Sequence, residues 1–329
     1  MIIQSSFKPA WWLRNRHAQT IWPSLVRIRP KITLRRERLE LPDGDFLDLD
    51  WTEDHNGPIV ILLHGLEGNN NSHYAKTLLK HLDQNNFQAV MMYFRGCNGE
   101  VNRLPRAYHS GETGDINFVA SQLTQRFPDR PVYAIGISLG GNVLLKWLGE
   151  TGMDNPLDRA IAISVPFELA KAADQLNRPE SKIYQRYLVN KLQNSLRQRL
   201  AKMRLPIDDV KALSCKTIRE YDELVTSPLH GFCNADDYYQ KSSSRQYLSD
   251  ITVPTLIIHS RDDPFMTKDV IPVEKELSPE ITFELAGCGG HVGFITGAIP
   301  FKAQYWLEKR ICVYLKEHLS NCDSQSSKP

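Results

Sequence analysis

Short apolar segments that alternate with helical patterns place the strongest constraint on the fold of this chain. Eight segments have the pattern of strands, and most are continuously apolar, as a parallel strand buried on both faces requires. They are Ile32–Leu41, Phe46–Trp51, Ile59–His64, Ala89–Phe94, Val132–Gly136, Arg159–Ser164, Thr255–His259 and Thr282–Leu285. Helical patterns follow several of these segments. The alternation predicts an α/β protein with an eight-stranded, mostly parallel sheet flanked by helices.

One stretch, residues 166–250, breaks this alternation. It has no strand pattern, and a leucine recurs every four residues from Leu188 to Leu200, with basic residues on other faces of the helix. We therefore expect a helical insertion that caps the sheet edge. The 329 residues are expected to form a single domain, with an N-terminal arm at about 1–31 and a frayed tail at about 320–329.

The net charge is only +2, from 40 Lys and Arg against 38 Asp and Glu, which argues against nucleic acid as a partner. The charge is unevenly placed, however. Residues 1–40 carry nine basic and two acidic residues, and residues 182–219 carry ten and two. These two basic blocks are either solvated surface or a local field that attracts anionic lipid or acidic substrates.

Cysteine usage and the N-terminus indicate a reduced, cytoplasmic protein. The six cysteines are scattered and form no C-x-x-C pair. The first twenty residues lack the apolar core of a signal peptide, and no apolar run approaches the roughly 20 residues that span a bilayer. The Trp11-Trp12 pair beside arginines predicts either peripheral contact with a membrane surface or a docked N-terminal arm.

The segment Gly136-Ile137-Ser138-Leu139-Gly140-Gly141 joins an apolar strand pattern to a helical one. A serine at such a strand-to-helix turn sits on a strained backbone with its hydroxyl exposed at the sheet edge. Side chains at the flanking positions would collide with the neighbouring elements, which is why glycines stand there. The segment therefore predicts a nucleophile elbow at Ser138.

A nucleophilic serine needs a base and a carboxylate that orients the base, in the chain order Ser, Asp, His for this arrangement. The strand pattern Thr255–His259 leads into Asp262-Asp263, and the last strand pattern leads into Gly289-Gly290-His291. Carboxyl ends of strands are where ligands gather in open α/β sheets. The order and the placement both favour His291 as the base, with Asp262 or Asp263 as its partner.

Stabilisation of the reaction's oxyanion is expected from backbone N–H groups. The helix that begins at Leu139 offers one donor, and the loop His64-Gly65-Leu66 after the third strand offers the second through Leu66. His64 precedes the nucleophile and is expected to pack and to fix this loop. The remaining histidines show no metal-ligand spacing, so we expect no metal and no cofactor.

These segments resemble the α/β-hydrolase superfamily, and others are similar to its YheT-type esterase branch. The branch resemblance rests on Arg14–Thr20, Phe94–Glu100, Tyr108–Thr113, Gly140–Asn142 and Gly290–Phe294, and it extends from about Phe7 to about Leu319. It implies the α/β-hydrolase fold, with Ser138 as nucleophile and His291 as general base.

The resemblance also bears on the orienting carboxylate. Superfamily members carry the pattern G-x-x-D-x-x-x-P here, and aligning Ser260 with the Gly and Thr267 with the Pro places Asp263 on the catalytic position. Both the Gly and the Pro are missing from this chain, so Asp262 stays open as the alternative.

The function expected is cleavage of carboxylic esters through an acyl-enzyme, with a small-molecule ester as substrate, anionic or lipid-like. The first alternative is an acyltransferase, in which an alcohol replaces water at the same triad. The second is a binding protein that keeps the fold without the chemistry. The triad residues alone do not separate hydrolysis from transfer, because both proceed through the same acyl-enzyme.

Overall fold

The computed structural model describes residues 1–300 and 302–326 of the 329-residue chain. The main sheet consists of β1 (Ile2–Gln4), β2 (Arg35–Glu40), β3 (Phe46–Trp51), β4 (Ile59–Leu63), β5 (Gln88–Met92), β6 (Val132–Ile137), β7 (Arg159–Ile163), β8 (Thr255–Ser260) and β9 (Ile281–Ala286). Their order in space is β1-β9-β8-β7-β6-β4-β5-β3-β2. Strand β3 pairs antiparallel with β2 and β5, and the other neighbouring pairs are parallel.

Helices connect most of the parallel strands, and a helix ends the described chain. They are α1 (Arg16–Val26), α2 (Ala75–Asp83), α3 (Gly114–Arg126), α4 (Leu139–Thr151), α5 (Leu169–Leu176), α6 (Lys182–Leu200), α7 (Asp209–Ser214), α8 (Ile218–Tyr221), α9 (Ser227–His230), α10 (Ala235–Ser242) and α11 (Trp306–Ser326). Strands β10 (Ile295–Thr296) and β11 (Gln304–Tyr305) pair antiparallel and form a separate two-stranded sheet. Within the described residues, no helix is long and apolar enough to cross a membrane.

All eight strands predicted from the sequence are present in the sheet, but the predicted count of eight is wrong, because β1 adds a ninth. Ile2–Gln4 is too short to give a pattern, and its partner β9 lies at the far end of the chain, with Ile2 opposite Phe283. The Met1 ammonium donates a hydrogen bond to Ile281 O at 2.7 Å. A strand formed by so distant a pairing leaves no local signal in the sequence.

The order in which strands are added to the sheet reverses at β4, and this switch point locates the site. From β4 the chain adds β5 on one side and β6 on the other. Open α/β sheets bind ligands outside the carboxyl ends of the strands at such a switch point. The carboxyl end of β4 leads to Leu66, and that of β6 leads to Ser138.

Between β7 and β8 the chain forms α5 to α10, and this segment, which the structure describes throughout, contains no strand. It has a hydrophobic cluster of its own around Val189, Leu196, Leu205 and Tyr221, distinct from the cluster that packs against the sheet. The region expected as an insertion at 166–250 is therefore helical and packs partly within itself.

The N-terminal arm is docked on the body of the protein. The Gln19 amide donates to Leu13 O and Ile295 O, and its carbonyl oxygen accepts from Ile295 N–H at 2.7 Å. Trp12 packs edge-on against Trp22 and donates its indole N–H to Gly297 O. Trp11 stays exposed while its indole N–H donates to Ala298 O.

The carboxyl-terminal tail was expected to fray at about 320–329. The backbone of α11 is helical to Ser326, and residues 327–329 lie outside the described part of the chain.

A buried ion network ties the loop after β5 to its surroundings. Arg95 is 5% exposed and contacts Asp43 at 2.8 Å, Asp45 at 3.2 Å and Asp115 at 2.7 Å. Asp45 and Asp115 are themselves buried. Such a network holds only while the cation is present, because buried carboxylates without a partner are costly. Arg95 belongs to the segment Phe94–Glu100, so the network explains why that segment contains an arginine.

We expect R95M to lower the free energy of unfolding by about 3–5 kcal/mol, because it leaves two buried carboxylates without their cation. The matched control is R103Q, which breaks the exposed pair of Arg103 with Glu40 and is expected to cost far less, because solvent screens that pair. Urea denaturation of both variants measures the difference. Equal, small losses in both would contradict the role assigned to Arg95.

Candidate active site

Ser138 lies in the turn between β6 and α4 with φ of 53° and ψ of −116°, a backbone conformation that side chains rarely adopt. The neighbouring glycines make this turn possible. A Cβ at Gly136 would lie 2.5 Å from Gly140 O, and one at Gly140 would lie 2.6 Å from His64 O. Both positions require glycine, as the sequence pattern predicts for an elbow.

Three predicted site residues meet at this turn. His291 Nε2 lies 3.0 Å from Ser138 Oγ, and His291 Nδ1 lies 2.8 Å from Asp263 Oδ2. Asp263 is buried, and its other oxygen accepts the N–H of Phe265 at 2.9 Å. A carboxylate on Nδ1 holds the proton there and leaves Nε2 free to accept from the serine.

The two adjacent aspartates point in different directions. Asp262 Oδ1 accepts the N–H of Gly290 at 3.0 Å and the hydroxyl hydrogen of Ser260. It therefore holds the loop that precedes His291, whereas Asp263 contacts the imidazole itself. Of the two carboxylates that the sequence left open, the structure places Asp263 against the ring.

The backbone of the His291 loop is fixed by distant parts of the chain. Thr20 Oγ1, on α1, accepts the N–H of His291 at 2.9 Å, and Ser164 Oγ accepts the N–H of Val292 at 3.1 Å. The ring of Phe265 stacks on the imidazole, with centroids 3.9 Å apart and planes 5° from parallel. These contacts restrict the imidazole to the orientation that reaches Ser138.

Sequence reasoning did not assign roles to Thr20 or Phe265. The sequence signal for Thr20 is its place in the segment Arg14–Thr20, which resembles the YheT-type branch. In the structure Asn15 caps α1 by accepting the N–H groups of His17 and Ala18, and His17 contacts the Tyr184 hydroxyl at 2.9 Å. The segment therefore seats the N-terminal arm between the His291 loop and α6.

The loop after β4 passes directly beside Ser138. His64 Nδ1 donates to Gly65 O at 2.7 Å, and His64 Nε2 accepts the N–H of Phe94 at 3.1 Å. Complete burial lowers the pKa of His64 to about 4, so the ring stays neutral and acts as a fixed brace. A Cβ on Gly65 would lie 3.4 Å from Ser138 Cβ.

The predicted oxyanion donors flank the serine. Leu66 follows Gly65 in this loop, and Leu139 is the first residue of α4. Within residues 1–300 and 302–326, no acceptor is present for the N–H of either residue. The first N–H groups of a helix have no partner inside the helix, so the Leu139 N–H is available to a ligand.

Ser138 and His291 open into a cavity of about 740 Å³. Its walls come from the β4 loop, from α1 and from the insertion between β7 and β8. The insertion supplies most of the apolar lining, through Leu169, Leu176, Ile183, Leu188, Leu192, Ile218, Val225 and Leu229. A cavity of this size and lining accommodates a small, largely apolar molecule.

Most charges of the two basic blocks do not reach the cavity. In the first block Arg27 pairs with Glu308, Arg36 and Arg38 pair with Asp48, and Arg29 is the one basic residue that lines the cavity. In the second block only two basic residues line the cavity, namely Lys191 and Arg199 on α6. No group of three His, Cys, Asp or Glu side chains within the described residues could hold a metal ion.

Glu67 is an acidic group on the cavity wall that the sequence did not single out. It follows Leu66 in the β4 loop with φ of 50°. The Tyr108 hydroxyl donates to its carboxylate at 2.9 Å, and Lys191 Nζ donates to its backbone oxygen at 3.1 Å. Burial raises the pKa of Glu67 from 4.5 to about 6, because desolvation disfavours the charged form.

The fold and these contacts define the class of protein. A strained serine between a parallel strand and a helix, joined through a histidine to a buried aspartate at the switch point of the sheet, is the arrangement of α/β-hydrolases. The family described as the alpha/beta hydrolase fold matches residues 58–298. The chain belongs to this family and, within it, to the YheT-type branch.

Individual relatives cover nearly the whole chain. It is 42% identical to the protein named "Putative esterase YheT" from Escherichia coli, over 96% of this chain and 94% of that protein. It is 28% identical to the protein named phospholipase ABHD3 from Mus musculus, over 92% of this chain and 77% of that protein. Among solved structures, the Pyrococcus furiosus esterase Pf2001 is similar in fold, with a TM-score of 0.58 at 18% identity, covering 87% of this chain and 91% of the other.

The raised pKa of Glu67 predicts a pH dependence of stability. Below about pH 4.5 the side chain is protonated in both the folded and the unfolded chain, so it contributes no penalty. Between about pH 4.5 and 6 the unfolded chain ionises first, so the fold loses stability as pH rises, by at most about 2 kcal/mol. Above about pH 6 the penalty is complete.

We therefore expect the stability of E67Q, relative to the native chain, to improve by up to about 2 kcal/mol from pH 4 to pH 7. Urea denaturation across this range measures the difference between the two proteins. E53Q, which makes the same change at an exposed glutamate, is the control variant. A difference for E67Q that is independent of pH would contradict the assignment.

Proposed function

We propose that this chain is a serine hydrolase that cleaves carboxylic esters through an acyl-enzyme. One observation carries the proposal: His291 joins Ser138 Oγ at 3.0 Å to Asp263 at 2.8 Å on the wall of the cavity. A serine hydroxyl is a weak nucleophile until an adjacent base takes its proton, and His291 is within reach to do so.

Acylation begins when Ser138 Oγ attacks the ester carbonyl carbon and its proton passes to His291 Nε2. The Asp263 carboxylate stabilises the imidazolium that forms, without itself becoming protonated. The tetrahedral intermediate then collapses: the bond to the alcohol oxygen breaks, and His291 returns the proton to the leaving alcohol. The acyl group remains on Ser138 as an ester.

Deacylation repeats these steps with water. A water molecule attacks the acyl carbon while His291 takes a proton from it. Ser138 then leaves and receives that proton from His291. In both halves the carbonyl oxygen becomes negative beside the N–H groups of Leu66 and Leu139. We therefore assign these two amides as the oxyanion hole. Loss of one such donor typically costs about 10²- to 10³-fold in rate.

The helical insertion at 166–250 acts as a cap in this proposal. Its side chains form most of the apolar cavity wall, while the sheet supplies the reacting groups. The N-terminal arm at 1–31 contributes Thr20 to the His291 loop and Ile21 to the wall. The cap and the arm are thus parts of one catalytic unit with the sheet.

The relatives also support hydrolysis of esters. Their names include an esterase, a phospholipase and a monoacylglycerol lipase from Saccharomyces cerevisiae, which is 30% identical over 86% of this chain. The names esterase and monoacylglycerol lipase describe hydrolysis of esters. A small-molecule ester, apolar enough to enter the cavity, is therefore the proposed substrate.

Substitutions in the triad test the proposal. We expect S138A to lower kcat for p-nitrophenyl butyrate by at least about 10⁴-fold and to abolish labelling by a fluorophosphonate probe. D263N should lower kcat by about 10⁴-fold, because the wrong tautomer of His291 is then stabilised. Both effects are measured on purified protein by initial rates and by mass spectrometry of the labelled serine.

The neighbouring D262N is the matched control for D263N. It weakens the hydrogen bonds that residue 262 accepts from Gly290 and Ser260, because a neutral amide oxygen replaces a charged carboxylate, and it leaves the contact of Asp263 with the ring, so it should cost less than about tenfold. Equal losses in D262N and D263N would refute the role given to Asp263. Undiminished labelling of S138A would refute the nucleophile.

Product analysis separates hydrolysis from acyl transfer. With p-nitrophenyl butyrate and excess short-chain alcohol, we expect free butyrate as the main product, because nothing in the proposed mechanism excludes water from the acyl-enzyme. Gas chromatography of the products measures the ratio of acid to new ester. A dominant transesterified product would favour the acyltransferase instead.

A further inference from the structure

Two cations from the second basic block line the same cavity as the triad. Lys191 and Arg199 lie eight residues apart on α6, with Ser195 between them, and all three face the cavity. Residues at this spacing fall close to one face of a helix, about 12 Å apart along its axis. A row of polar groups therefore runs along an otherwise apolar wall.

Neither cation has a carboxylate partner. In the part of the chain that the structure describes, no Asp or Glu oxygen lies within ion-pair distance of Lys191 or Arg199. Arg199 is 8% exposed, and the hydrogen bond of its guanidinium goes to Pro105 O, an uncharged acceptor. A buried cation without a counter-charge is costly, and a bound anion would relieve that cost.

The acidic groups nearby offset this charge only in part. Glu67 acts on both cations through space, but its carboxylate accepts its hydrogen bond from the Tyr108 hydroxyl, at 2.9 Å. Its pKa is raised to about 6 by burial, so it carries its charge at some cost. Asp222, which also lines the cavity, is bonded to Thr226 and Tyr239.

We propose that Lys191 and Arg199 form an anion subsite that selects esters carrying a carboxylate or phosphate group elsewhere in the molecule. The ester part of this statement rests on the proposed function. Lys191 Nζ lies 3.1 Å from Glu67 O, one residue beyond Leu66, and so stands beside the reacting carbonyl. Arg199 lies deeper along the helix and suits an anion at the end of a longer chain. The guanidinium fork binds either oxyanion through paired hydrogen bonds.

The kinetic test compares esters matched in length. The mono-p-nitrophenyl ester of adipic acid, which carries a carboxylate, is set against p-nitrophenyl hexanoate, which does not. Butyryl glycerol phosphate against monobutyrylglycerol places the anion on the alcohol side instead. We expect kcat/KM to favour at least one anionic member by about tenfold or more, and the pair that shows the preference identifies the source of the anion.

Variants assign the preference to these residues. R199Q is expected to lower kcat/KM for the preferred anionic ester by about ten- to a hundredfold and to change that for its neutral partner by less than about threefold, whereas K191Q, which also loses the contact with the Leu66 loop, is expected to lower both values. Arg197 points away from the cavity, is exposed and contacts Asn194, so R197Q is the matched control and should change neither value. The neutral ester also reports whether each variant is folded.

Binding without turnover separates this proposal from the proposed function. In S138A protein, adipate or glycerol phosphate should raise the thermal unfolding temperature, and R199Q should abolish the rise. If no ester is hydrolysed but this stabilisation is seen, the subsite stands and the ester chemistry fails. If esters are hydrolysed without an anionic preference, or if R199Q and R197Q behave alike, the subsite is overturned.

Discussion

The backbone at Ser138 keeps its positive φ only because β4, β6 and α4 approach each other at glycines. Gly136 and Gly140 have no room for a Cβ, so the turn is closed by contact between backbones. The same contact brings the loop after β4 within reach of the serine, because Gly140 lies against the carbonyl oxygens of Leu63 and His64. The positions of Leu66, Leu139 and the hydroxyl of Ser138 therefore depend on one close-packed turn.

The second half of the site depends on contacts between distant parts of the chain. The His291 loop follows the last strand of the parallel core, yet its backbone is fixed by Thr20 from the N-terminal arm and by Asp262 after β8. Strand β1 pairs with β9 and leads the arm to that edge of the sheet. The arm thus completes the support of the imidazole, which explains why a segment so far from Ser138 in sequence belongs to the site.

Much of this arrangement follows from local pattern, and the rest follows from long-range pairing. Buried parallel strands are apolar throughout, and an elbow needs its glycines, so the six parallel strands β4 to β9 and Ser138 could be predicted from the sequence. Strand β1 could not, because three residues carry no periodicity. The choice between Asp262 and Asp263 also needed coordinates, since one residue along the loop turns a carboxylate from the imidazole to the N–H of Gly290.

Charge shows a different limit of sequence reasoning. The basic residues of α6 were expected on faces of the helix away from its leucines. Arg199, however, follows Leu188 by eleven residues, about three helical turns, and therefore lies on the same face as Leu188. Most charges of the block remain in water, where screening makes each worth little. A cation in a low-dielectric cavity acts far more strongly on an anion. The net charge of a segment therefore says less about its ligands than the position of one or two side chains relative to a cavity, which only the fold determines.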